Sequence, residues 1–230
     1  MDKLEIIYTF KLESGHETQF VLKTDLKTLE MEGEPEQDTP DWAALEYHQC
    51  ESCPLSSEQT SHCPLAEKLS VLVPQFDGLI SHQDVLLVVE TEQRKVEQKT
   101  SLQTAMSSLL GLVMATSGCP KTAYFRPMAR FHLPLADPKE TIYRAASMYL
   151  MGQYFKRQQG LDADWNLDGL RQIYDDITLV NIGISERLRA ATKTDSSVNA
   201  VVILDSYAKL FPWVIDEMLD ELKKLYAVYL

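Results

Sequence analysis

Hydrophobic and polar residues alternate at the start of the chain. Leu4, Ile6, Tyr8 and Phe10 take every second position, Glu13-Ser14-Gly15-His16-Glu17 interrupts them as a turn, and Phe20 and Leu22 resume the pattern. A period of two puts one set of side chains on one face of a strand, so 3–12 and 17–23 predict a β-hairpin, with a third short strand near 27–31. Val85-Leu86-Leu87-Val88-Val89 is an apolar run of buried-strand length, and 94–99 can pair with it before a helix opens near Ser101. Between the two strand pairs, 41–49 reads as a short helix and Leu65 to Phe76 as a helix interrupted near Pro74.

From 101 onward the period becomes helical. Asp137-Pro138-Lys139-Glu140 joins an N-cap, a proline at the first helical position and a glutamate three residues after the cap, so a helix starts there and ends near Gly160. Leu170, Ile173, Tyr174, Ile177, Val180, Ile184 and Leu188 share one face of a helix over 165–191, and Asp195 is the expected cap of the next. Phe211, Ile215, Met218, Leu222, Leu225 and Tyr229 continue a helical stripe that reads as core, with Pro212 expected to kink or restart the helix. The expected fold is α+β, a small, mainly antiparallel sheet from the N-terminal half packed with a C-terminal helical bundle. One domain over 1–230 is expected, with 1–100 sheet-rich and carrying a cysteine loop at 48–66, and 101–230 helical.

Charge narrows the function classes. The 230 residues carry a formal net charge of −12, which argues against nucleic acid as a partner, because phosphate binding needs clustered Lys and Arg. Residues 30–41 hold six acids, two prolines and no Lys or Arg, the composition of a solvated linker. Charges break up Met1–Ile6, and the longest strongly apolar stretch, Leu109 to Ala115, is far short of the ~20 residues that span a membrane. A cytoplasmic protein with no membrane partner is the expectation. There, cysteines serve metal, redox chemistry or packing more often than disulfides.

The four cysteines are Cys50, Cys53, Cys63 and Cys119. His48-Gln49-Cys50-Glu51-Ser52-Cys53-Pro54-Leu55 contains a Cys-x2-Cys, which offers two thiolates to one ion from a single turn, as zinc sites do. Cys63 follows in a Ser-rich loop, and Cys119, at a helix end in Ser117-Gly118-Cys119-Pro120, is the preferred fourth ligand over the alternates His48 and His62. Zinc is the expected cofactor. An iron–sulfur cluster, a Cys50/Cys53 dithiol and metal-free buried thiols are the competing readings.

Residues 121–160 hold seven Lys or Arg against two acids. At their centre, Tyr124-Phe125-Arg126-Pro127-Met128-Ala129-Arg130-Phe131-His132-Leu133-Pro134 reads as a rigid, extended segment. Arg126, Arg130, His132 and the following Arg144 are the candidate ligand-binding residues for a small anion, since guanidinium forks grip carboxylate or phosphate and a helix start favours negative charge. The blander reading pairs the three arginines with acids and leaves His132 structural. Asn181 and Asn199, on apolar helical positions, read as hydrogen-bonded clamps between helices.

These strings, His48 to Leu55, Ser117 to Pro120 and Arg126 to Pro134, resemble an uncharacterised bacterial family known only as a domain of unknown function. The resemblance extends through the Tyr143–Phe155 helix and the C-terminal helices, and implies a bacterial cytosolic origin and one full-length unit. It carries no activity. The sequence lacks a phosphate-binding glycine loop, a Gly-x-Ser-x-Gly, a His-Glu-x-x-His and a dinucleotide fingerprint, so an enzyme is disfavoured. The expected function is metal binding, with structural zinc and a site for a small anionic ligand or a protein partner. The alternatives are a metal- or thiol-dependent enzyme or iron–sulfur protein, and an assembly protein without ligand that forms a homodimer through a helix.

Overall fold

In the computed structural model the described residues are 3–33, 39–191 and 196–230. Strands β1 (Lys3–Leu12) and β2 (Glu17–Asp25) form the hairpin, turned at Gly15 with φ +85°. β1 also pairs with β3 (Asp84–Thr91), which pairs with β4 (Lys95–Ser101), giving an antiparallel sheet in the order β2-β1-β3-β4. β1 is central, so its alternate side chains Ile6, Tyr8 and Phe10 are buried, with Tyr8 registered between Phe20 and Val89. Burying side chains of this size contributes ~1.5–3 kcal/mol each. The edge strand β4 turns Lys95, Glu97 and Lys99 to solvent, where charge discourages pairing with another sheet.

Two N-terminal expectations change. The strand near 27–31 shrinks to a bridge between Thr24 and Met31, because the Asp25 carboxylate accepts the Lys27 and Thr28 amides, both at 2.8 Å, and folds the chain into a turn. The helix expected over 41–49 is only a 3-10 turn, Asp41–Ala43. Its backbone is spent across the loop instead: Leu45 N donates to Ser61 O and Cys63 N to Ala43 O, around the Ala44–His62 bridge. Helix α1 (Pro64–Leu72) runs into a 3-10 turn, Val73–Phe76, at Pro74 as expected.

Helix α2 (Leu102–Thr116) is capped by Ser101 and buries most of its length. After α3 (Arg126–Arg130) comes α4 (Pro138–Gln158), with both bonds of the capping box between Asp137 and Glu140. α5 (Asp168–Ala191) and α6 (Ser196–Lys223) complete the bundle; the cap expected at Asp195 lies outside the described residues. Two apolar cores result. One joins the sheet, α1, α2 and the C-terminal half of α5; the other joins α4 with the N-terminal half of α5 and the middle of α6.

α6 runs through Pro212 without a restart, held by the buried Phe211 and Ile215 on either side. The stripe beyond them leaves the core: Leu225 and Tyr229 are 74% and 83% exposed. At 1.5 Å per residue, the 28 residues of α6 reach about 42 Å, beyond the roughly 36 Å of the 24-residue α5. Its last turn lies beside α4, where Lys139 Nζ is 2.6 Å from Glu221 Oε2. With its 3-10 extension, Ser196–Tyr226 is, among the described residues, one helix long and apolar enough by length and composition to cross a membrane, with mean hydropathy 1.4, longer than the apolar stretch read from the sequence.

Candidate functional site

The cysteine segment docks on α5 through an absence. A side chain at Gly183 would bring its Cβ within 2.8 Å of Cys50 Sγ and 3.2 Å of His48 O, so only glycine lets the loop approach this closely. One turn later on the same face, Arg187 is 1% exposed and holds the loop from inside. Its Nη1 donates to the carbonyls of Trp42 and Ala44, each at 2.7 Å, and its Nη2 to Leu45 O at 2.8 Å; Nε has no partner.

The thiols gather beside that guanidinium. Cys63 is buried and is the N-cap of α1, with Pro64 in the first turn. Gly118, at φ +89°, turns the chain after α2 so that the position of its missing Cβ is 3.7 Å from Pro64 Cβ, which lays Cys119 beside the start of α1. Cys50, Cys53 and Cys119 pack on the same core as Cys63, and all four are free thiols. Burial pushes Cys50 up to about 12; the thiols of Cys63, Cys119 and Cys53 each add to the rise, and Arg187 opposes it. Cys63 is also pushed up by burial, against the Ala66 and Leu65 amides at the helix start and the Arg187 charge. The alternates His48 and His62 are used elsewhere: His48 Nδ1 is 3.1 Å from Glu186 and His62 Nδ1 2.9 Å from Ser61 Oγ. Among the described residues, no group of three or more His, Cys, Asp or Glu side chains is drawn together closely enough to hold a metal ion.

The second feature is a cavity of about 390 Å³ where the two cores meet. Phe125 packs on both cores and lines it, with Leu112, Met128, Ile177 and Leu204 among its apolar walls. His132, Ser108, Arg144 and Asn181 supply polar atoms. Tyr8 reaches this region from the sheet, its hydroxyl 2.9 Å from Ser108 Oγ and hydrogen-bonded to His132 Nε2. Burial, helped by the Arg144 cation, pushes His132 down to about 3, so the imidazole is neutral. Burial also pushes Tyr8 and Tyr174 well up, and both stay phenols.

The basic segment is not extended. It forms a 3-10 turn, Ala123–Phe125, followed by α3, because the fixed φ of Pro127 suits a first helical turn. The helical path separates the four candidate residues. Arg126 pairs with Glu30, and Arg130 lies over the Phe131 ring at 5.4 Å; neither lines the cavity. His132 and Arg144 do line it. Arg144 Nη2 donates to the carbonyls of Met128 and Phe131, at 2.9 and 3.0 Å, rather than to an acid. Of the two asparagines, Asn199 is hydrogen-bonded, donating to Ser81 Oγ at 3.2 Å in the turn before β3 and not to another helix, whereas Asn181 is fully buried with both polar atoms unpartnered.

A family model described as "Domain of unknown function (DUF6901)" matches residues 6–227. The chain belongs to DUF6901. No curated protein and no solved structure matches it. The family match spans the cysteine loop, the cavity and both cores.

Several side chains that build these sites were not singled out from the sequence. Arg187 and Gly183 interrupt the apolar face of α5 one turn apart, and an arginine on such a face signals a buried guanidinium needing acceptors. Pro64 repeats the first-turn proline signal of Pro138, although Cys63 before it makes no side-chain cap bond. Tyr8 carried no signal, since an aromatic on a strand's inner face is ordinary core.

Proposed function

We propose that this DUF6901 chain is a binding protein whose cavity takes a small ligand with an apolar body and an anionic group. The observation that carries the reading is Arg144, a cation in the wall of a largely apolar cavity that is hydrogen-bonded to carbonyls and not to an acid, while the one carboxylate among the lining residues, Asp137, accepts the Glu140 amide as a helix cap. Such a guanidinium favours an incoming carboxylate through charge-assisted bonds, and the apolar walls favour the rest of the molecule. Octanoate is expected to raise the melting temperature of the wild-type protein, and Arg144→Gln to weaken its binding roughly tenfold or more, the loss of one charge-assisted hydrogen bond. Octanol binding as tightly as octanoate in calorimetric titration would overturn the anion reading.

A second element of the proposal is a zinc ion held by Cys50, Cys53, Cys63 and Cys119, fastening the loop to α1 and α5. Its support is the meeting of four free thiols from three separate chain segments on one core, beside a buried arginine without a carboxylate partner among the described residues. Zinc–sulfur bonds of ~2.3 Å need the thiols to draw closer together than they stand here, so capture of the ion entails a rearrangement of the cysteine loop. Bound as thiolates, the four sulfurs carry negative charge that Arg187 offsets from within the same core. Protein purified without added metal is expected to hold one zinc per chain by elemental analysis and to lose it on Cys53→Ser. A brown protein absorbing in the visible would favour a cluster instead; metal-free protein with unchanged stability would sink both.

A further inference from the structure

Among the described residues of the helical half, Asn181 is the side chain with two buried polar atoms that lack a hydrogen-bond partner. It sits on α5 between Ile177 and Ser185, is 0% exposed, and lines the cavity with neither Oδ1 nor Nδ2 hydrogen-bonded. Protein interiors satisfy buried amides almost without exception, so two orphaned atoms on one side chain need a cause. None of the other polar side chains that line the cavity bonds to Asn181: Thr122 Oγ1 donates to the carbonyls of Met114 and Cys119, Ser108 Oγ is taken by Tyr8 and the Leu135 amide, and Arg144 Nη2 donates to two carbonyls. Leu112, Ile177 and Leu204, also in the wall, have nothing to offer a carboxamide.

A primary amide presents one acceptor and one donor side by side. The complementary partner presents a donor and an acceptor in the same spacing, as a carboxamide, a lactam or the amide edge of a heterocycle does. We infer that Asn181 is a specificity-determining residue that reads an amide-like edge on the ligand of this cavity. The inference rests on the cavity being a ligand site, and adds to the anion at Arg144 a second recognised group. The ligand class it defines is a compact, mainly apolar molecule bearing an acid and an amide-type edge, of a size for a cavity of about 390 Å³. A site with a buried hydrogen-bonding pair rejects analogues lacking one partner, because its own groups are then left unpaired.

Benzamide and acetophenone make a matched probe pair, alike in shape and differing in the amide N–H. Titrations followed by protein-observed NMR are expected to show benzamide bound at least tenfold tighter than acetophenone by the wild type. In Asn181→Leu, a near-isosteric apolar replacement, that preference is expected to vanish, the two probes binding with equal affinity. The unliganded variant is expected to melt no lower than wild type, since an unsatisfied polar group is removed without opening a cavity. Equal affinity for the two probes, an undiminished preference in the variant, or a lower melting temperature from a lost structural hydrogen bond would each overturn the inference. Octanoate separates the two levels: octanoate binding without benzamide preference defeats the role of Asn181 alone, and failure of octanoate and both fragments defeats the cavity as a ligand site.

Discussion

Arg187→Met is expected to destabilise the protein by about 3 kcal/mol or more, lowering its melting temperature by roughly 6–12 °C for a chain of this size. Methionine fills much of the arginine's volume but donates nothing. The carbonyls of Trp42, Ala44 and Leu45 then lose their donor at a largely buried contact, and a stranded buried acceptor costs ~1–3 kcal/mol. Removing a buried charge returns part of that cost, which is why the estimate stays below the sum of three bonds. Arg187→Lys should recover only a fraction, because an ammonium on a flexible stem cannot reproduce a planar fork bonded in three directions. Urea denaturation followed by fluorescence measures the effect, and a change under about 1 kcal/mol would mean the loop is held by other contacts. The loss should be local as well as global, with 41–63 cleaved by protease before the sheet.

Acid should unfold the protein through His132. Its folded pKa, near 3, lies below the ordinary 6.5, so between those values the unfolded chain binds a proton that the folded chain refuses. Stability from this group is therefore complete above pH 6.5 and lost as pH falls toward 3, at up to about 1.4 kcal/mol per pH unit and about 4–5 kcal/mol in all. Melting temperatures from pH 7.5 to 4 are expected to fall steeply in the wild type. His132→Gln keeps a hydrogen-bonding atom near Tyr8 without the titration, and should flatten that slope even if it lowers stability at pH 7. An unchanged slope in the variant would assign the acid sensitivity to carboxylates such as Asp25 and Asp164, which accept backbone amides and are held below their usual range.

The parts of this architecture readable from sequence are those governed by neighbouring residues. The period-two pattern of Leu4 to Phe10, the cap at Asp137 and the apolar face from Leu170 to Leu188 are local signals, and the hairpin, α4 and α5 follow them closely. The segment 41–49 defeated the same logic because its backbone bonds are decided by residues 61–63 and by an arginine on α5. The prolines of the Arg126–Pro134 string predict an extended segment, yet Pro127 falls in the first helical turn, where proline helps rather than hinders. Arg126, Arg130, His132 and Arg144 share a charge pattern in sequence; a helical path then sends two into the cavity and two outside it. Asn181 shows the limit most clearly. Its position marked it as buried, but whether a buried amide is a clamp or an unanswered group depends on what stands opposite, and only Asn199 found a partner.

The grip of Arg187 on Leu45 spans 142 residues of sequence. During synthesis at ~5–20 residues per second, the cysteine loop leaves the ribosome on the order of ten seconds before the helix that fastens it exists. Through that interval Cys50, Cys53 and Cys63 have neither Gly183 nor Arg187 to pack against, and Cys119 joins them only part-way. The loop thus spends its youth as an exposed dithiol with a third sulfur close by, open to oxidation or to early capture of an ion. A cell making this protein under oxidative stress would be expected to lose it at birth, before the finished fold has had the chance to shield its own thiols.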